Sequence, residues 1–186
     1  CQGAARSYRQ LPNCGPTRRG SYDDDRISKR DLKSACGISR VECMSAGGQF
    51  SRSDFKWFID LQSRWMDNDA YGHINNVIYY AWFDTAVNRF LVDNELLDYK
   101  NDTVHGIVIE SKCTYLKEFS YPDVAQAGLK LQRLGNTSVV YDIGLFHVGD
   151  EDAAALGYLV HVYVDTESRQ PVRLPDPVRA GVAALA

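Results

Sequence analysis

Asp67-Asn68-Asp69-Ala70-Tyr71-Gly72-His73-Ile74-Asn75-Asn76-Val77-Ile78-Tyr79 compresses two carboxylates, a glycine, a histidine and two amides into a polar run that passes directly into an apolar one. The polar part, from Asp67 to Asn75, sustains no period of 2 or 3.6 and carries Gly72, so it reads as a loop. Asn75 then reads as a helix N-cap, because its side-chain oxygen can accept from the N–H of Val77 or Ile78, which have no intrahelical partner. Beyond it Ile78, Ala81, Trp82, Thr85 and Ala86 recur at helical spacing, and Tyr79, Phe83, Val87 and Phe90 form a second stripe beside them. A helix apolar over so much of its circumference predicts burial on most sides. Other elements have to wrap it.

The flanking sequence supplies them. Upstream, Phe55, Trp57, Phe58, Ile59, Leu61, Trp65 and Met66 crowd into a dozen positions, and Lys56 to Arg64 reads as a first strand. Downstream, from His105 onward, the period changes to 2. Ile107, Ile109, Ser111, Cys113 and Tyr115 are expected to share one strand face, and Ala125, Ala127, Leu129 and Leu131 a face of the next. Gly135-Asn136 turns the chain into Val139, Tyr141, Ile143 and Leu145, and Gly149-Asp150 turns it toward Leu156, Tyr158, Val160, Val162 and Val164. Strands joined by short turns make an antiparallel meander. The predicted class is α+β: one strand, a long helix, then four strands curved around that helix as a sheet of about five. Pro171, Pro175 and Pro177 predict that regular structure ends after Arg169, leaving 171–186 as a tail.

The whole chain has 186 residues, 45% of them apolar, which suits one domain with its own core, placed at 51–170. Its formal charge of -3 gives no overall attraction to nucleic acid or to an anionic membrane. No window approaches the roughly 18 uninterrupted apolar residues of a membrane span. Residues 1–50 carry nine Lys and Arg against five Asp and Glu, with few large apolar residues, and read as a mobile basic arm. No apolar stretch there resembles a secretory signal, and Asp23-Asp24-Asp25 argues against a transit peptide. Cys1, Cys14, Cys36 and Cys43 are too widely spaced for a structural zinc site, and Cys113 makes the count odd, so reduced thiols in a cytoplasmic or organellar-matrix setting are expected.

Several chemistries compete for the loop. A calcium loop starting at Asp67 would need an oxygen ligand where Tyr71 stands and a bidentate Glu where Ile78 stands. A transition-metal site could recruit Asp67, Asp69 and His73, but no second His or Cys lies nearby in sequence. Without a metal, free N–H groups at the helix start could polarise a carbonyl while a loop carboxylate attacks it or activates water, which is acyl transfer. The plainest reading makes Asp67 and Asp69 turn residues, Gly72 a positive-φ position, His73 a surface side chain and Asn75 only a cap.

The quoted stretch resembles the signature of the 4-hydroxybenzoyl-CoA thioesterase family, in which Asp-x-Asp-x-x-Gly-His-x-Asn-Asn precedes the central helix of a hot-dog fold. The strand, helix and four-strand order is similar to that fold over about residues 55–170. The resemblance implies an acyl-CoA thioesterase that needs no metal or redox cofactor, coenzyme A being part of the substrate. It implies that Asp69 is the nucleophile or general base, that helix N-terminal amides including that of Asn76 polarise the carbonyl, and that Asp67 supports them. Gly72 and His73 belong to the same motif. It also implies a homodimer or dimer of dimers with sites at the subunit interface, and coenzyme A phosphates met by basic residues, for which Lys112, Lys117, Lys130 and Arg133 are candidates. Asn75 and the apolar Tyr79, Trp82, Phe83 and Phe90 are candidates to contact the acyl group. A hot-dog dehydratase using His73 and Asp84, and an acyl-CoA binding module without turnover, are the alternatives. The sequence lacks the Pro-Gly run that such dehydratases carry after Gly-His, and it has both Asp67 and Asp69.

Overall fold

The period-2 runs form one antiparallel sheet, and the helix of the quoted stretch lies across it. The structure, a computed structural model, describes residues 50–186. The basic arm, its four cysteines and the targeting question lie outside the described residues. The strands are β1 (Trp57–Gln62), β2 (Val104–Tyr115), β3 (Val124–Leu134), β4 (Ser138–His147) and β5 (Ala155–Asp165), in the spatial order β1-β3-β4-β5-β2. The long helix α1 (Asn76–Asp93) enters between β1 and β2, and a short helix α2 (Asp176–Ala183) ends the chain. This is the hot-dog arrangement, with β1 and β2 as the two edges.

Tyr79, Trp82, Phe83, Ala86, Val87, Phe90 and Leu91 form the buried stripe of α1 and pack on Ala125, Ala127, Leu129, Val139, Tyr141, Ile143, Leu145 and Leu159. The seat of α1 depends on small residues beneath it: a Cβ at Gly157 would lie 2.6 Å from the Phe83 ring. Full burial of a side chain such as Phe83 or Val87 stabilises by about 1.5–3 kcal/mol. The helix is not buried on most sides, however. Val77, Tyr80, Ala81, Asp84 and Thr85 are exposed, so within one chain the sheet covers a single broad face of α1.

Three further expectations fail for identifiable reasons. The register between β2 and β5 shifts between Val108 and Glu110, so Ile109 turns to the outer face with Val140, Tyr158 and Val160, whereas Cys113 packs toward α1. One extra residue inverts the alternation. Along β5 the residues facing α1 are Ala155, Leu159 and Tyr163, not the series from Leu156 to Val164. β4 and β5 are buried on both faces, so large apolar residues on alternate positions do not reveal which face meets the helix. Residues 171–186 are not a loose tail. Pro175 stands at the N-cap position of α2 and Pro177 occupies its first turn, where a missing N–H breaks no bond, and Val178, Val182 and Leu185 are buried. Leu131 of β3 donates its N–H to the Leu185 carbonyl at 2.9 Å.

Candidate active site

The loop before α1 is held by bonds that its own residues make. Asp67 is 2% exposed; its carboxylate accepts from the Arg64 amide at 2.8 Å and pairs with the Arg64 guanidinium at 3.0 Å. Its carbonyl accepts from Asn75 N at 2.8 Å, which brings the loop's end back to its start. Between them the Asp69 amide donates to the His73 carbonyl at 2.8 Å, and Asp69 Oδ1 accepts from Tyr71 N at 2.8 Å and His73 N at 3.4 Å. Gly72 completes this reversal with φ of +86°, a conformation that penalises any side chain.

The segment joining β2 to β3 braces the loop. Ile74 N donates to the Phe119 carbonyl at 2.7 Å, and Tyr121 N donates to Asn68 Oδ1 at 3.0 Å. His73 Nε2 lies 3.2 Å from Glu118 Oε2 on the surface. Below, Tyr79 packs edge-on against Tyr115 with ring centroids 4.9 Å apart, and the buried Phe119 fills the space beside Trp82. Burial pushes the nearby Cys113 thiol up to about 11, so it offers little thiolate at neutral pH.

Two groups at the helix entrance are left uncommitted. Val77 N donates to Asn75 Oδ1 at 3.1 Å and Ile78 N to the Asn75 carbonyl at 2.9 Å, whereas the Asn76 N–H has no acceptor among the described residues. Asp69 Oδ2 likewise has no donor among them, Oδ1 having taken both loop amides. A half-buried carboxylate oxygen and a helix N-terminal amide thus remain available within one short segment. The positive end of the helix dipole favours negative charge at that amide.

The other sequence candidates scatter. Tyr79, Trp82 and Phe83 are core residues under the loop, with Phe83 wholly enclosed. Lys117 reaches Asp150 at 3.0 Å, and Lys112 sits along edge strand β2. Lys130 lies on the sheet face away from α1, over the Phe50 ring and opposite Asp142. Arg133 is an exposed residue of β3. Asp84 is exposed on α1 eight residues beyond Asn76, about 12 Å along the axis. That is too far to share one carbonyl with the loop. Among the described residues no group of three or more His, Cys, Asp or Glu could hold a metal ion. Glu118 and Phe119 went unread in the sequence, and Tyr115 was read only as a strand residue. These three meet the loop only through the end of β2 and the return of the chain from it to β3.

Residues 63–182 match the family model described as the Thioesterase-like superfamily. Among solved structures, the PA5185 protein of Pseudomonas aeruginosa strain PAO1 is 43% identical, with 74% of this chain and 96% of that one covered and a TM-score of 0.72. The BH1999 gentisyl-coenzyme A thioesterase (18% identity, 68% and 99% covered, TM-score 0.61) and Slr0204, a 1,4-dihydroxy-2-naphthoyl-CoA thioesterase from Synechocystis (14%, 68% and 95%, 0.62), share the fold. No curated protein sequence matches. The family match begins just after β1 and runs into α2, taking in the loop, the whole of α1 and strands β2 to β5, and the chain belongs to the thioesterase-like superfamily.

Proposed function

We propose that this protein is an acyl-CoA thioesterase that hydrolyses its substrate to a carboxylate and free coenzyme A. One observation carries the reading: Asp69 Oδ2 and the Asn76 N–H are both unpaired at the entrance of α1. The thioester carbonyl oxygen accepts from Asn76 N, which stabilises the oxyanion as it forms. Asp69 Oδ2 either attacks the carbonyl carbon, expelling the thiolate and leaving an anhydride that water opens, or takes a proton from the attacking water. The Tyr71 and His73 amides fix that carboxylate, the Gly72 amide donates to the Asp69 carbonyl, and Asp67, tied to Arg64, holds the loop as a positioning residue. Neither route needs a cofactor.

The acyl group in this reading lies over the exposed Val77, Tyr80 and Tyr115 and not against the enclosed Phe83. A second copy completes that surface by pairing along the open edge of β2, whose exposed Val108 and Tyr115 favour cover. Lys112 and Lys117 then supply positive charge to the coenzyme A phosphates.

The test is thiol release from a panel of acyl-CoAs by the wild type and Asp69→Asn. Loss of turnover by at least about 100-fold with unchanged thermal stability supports the reading. Equal turnover, or stoichiometric acyl-CoA binding without hydrolysis, overturns it. Single turnover in 18O water separates the two routes: label enters the Asp69 carboxylate only if that carboxylate attacks.

A further inference from the structure

A second site lies at the other end of α1. The C-terminal half of the helix, the connection to β2, and β5 frame a half-open cavity of about 190 Å3, lined among others by Asn88, Leu91, Leu96, Gly106, His161 and Tyr163. Asn88 follows Asn76 by twelve residues, about 18 Å along the helix axis. The cavity is therefore distinct from the loop and independent of the thioesterase reading.

Asn88 is bonded to the Asp84 carbonyl at 2.9 Å, but three other polar atoms of the wall lack partners among the described residues. His161 is 2% exposed and its Nδ1 has no hydrogen-bond partner among the described residues. The same holds for His105 Nε2 on the cavity wall. The Tyr163 hydroxyl, also on the wall, and that of Tyr141, whose ring meets the His161 ring edge-on at 5.7 Å, lie near enough to influence each other's titration, but neither has a partner at full hydrogen-bond geometry. Buried polar atoms are ordinarily paired, and three such atoms around one cavity call for a partner from outside the chain. Gly106 leaves the approach open, since a Cβ there would stand 2.9 Å from His161 Nδ1 and 3.4 Å from the Tyr163 ring.

The wall also states what kind of partner fits. No Asp, Glu, Lys or Arg lines it. Burial pushes the His161 imidazole down to about 4 and the Tyr163 phenol up to about 12, so both are neutral near pH 7. An ion entering here would lose its hydration without a counter-charge. Leu91, Leu96, Leu97 and Val104 make the remainder apolar. A cavity of about 150 Å3 accommodates benzene, so this one has room for a single ring with a polar substituent.

We propose that this cavity binds a small uncharged molecule whose apolar body, about one ring in size, lies against Leu91 and Leu96 and whose hydroxyl pairs with His161 Nδ1 and the Tyr163 hydroxyl. The probe is phenol, titrated into the full chain by calorimetry and by NMR of the histidine side chains, with benzene and benzoate as controls. The expected result is saturable one-to-one binding of phenol that moves the His161 signals, weaker binding of benzene, and at least tenfold weaker binding of benzoate. Tyr163→Phe removes the hydroxyl at nearly constant volume. It should weaken phenol by about two- to tenfold while leaving benzene unchanged. Gly106→Ala should abolish binding of both, and if that variant misfolds Tyr163→Phe still decides. Failure of phenol to saturate, benzoate binding as tightly as phenol, or indifference of phenol to Tyr163→Phe would overturn the proposal.

Discussion

The two ends of α1 keep unpaired polar groups in opposite settings. At the N-terminal end the unpaired groups, Asp69 Oδ2 and Asn76 N, are at or near the surface, and the bonds that orient them directly join residues no more than eight apart, with the β2–β3 connection as an outer brace. At the C-terminal end the unpaired groups, His161 Nδ1, His105 Nε2 and the Tyr163 hydroxyl, are buried and come from strands distant in sequence. An exposed unpaired group is solvated and cheap to keep, so its presence marks reactivity only through its neighbours. A buried one costs stability, and its presence marks a place where something else is accommodated.

The contrast can be broken experimentally, beginning with the reaction. Asp69→Asn should lower thiol release by about 100-fold or more while Tyr163→Phe lowers it little; the reverse order would mean that the two ends had been assigned the wrong roles. Next comes acid sensitivity. His161 is held at about 4 against an ordinary 6.5, so the unfolded chain binds the extra proton. Its contribution is therefore present above pH 6.5 and is lost as pH falls toward 4, of order 3 kcal/mol in all. Asp142, pushed up to about 6 by burial, works in the other direction, losing stability as pH rises from 3.8 through 6. Urea unfolding between pH 4 and 7 should show a shallower acid loss in His161→Gln and a steeper one in Asp142→Asn.

Smaller effects test the scaffold between the ends. Gly157→Ala forces a Cβ toward the Phe83 ring and should cost about 1–3 kcal/mol in denaturant unfolding, with little change in the loop. Asn75→Ala removes the cap on Val77 N and should cost about 1 kcal/mol, with a fall in turnover because Asn76 N loses its fixed direction. A capping loss without any kinetic effect would detach the helix entrance from the chemistry.

Much of the N-terminal end was legible beforehand because its geometry is short-range. The Asn75 cap, the Gly72 reversal and the loop between two apolar runs follow from residue types within a dozen positions, and the structure has them. Glu118 beside His73 was not legible, since nothing in Lys117-Glu118-Phe119 indicates that it returns to the loop. Nor was the outward turn of Ile109, which one unpaired residue in β2 produces. Pro175 and Pro177 misled for a related reason: proline stops a helix from its interior but starts one from its first turn, and neighbouring residues alone do not tell which applies.

The residue pattern was enough to establish a strand, a long helix and four strands in that order, together with a loop carboxylate beside a capped helix start. Periodicity and capping are local physics and survive in one dimension. Which face of each strand meets α1, where residues 171–186 pack, and the meeting of His105, Gly106, His161 and Tyr163 around one cavity were decided only by folding. Those features depend on strand register and on volumes left between elements, quantities that come into being when distant parts of the chain are brought together.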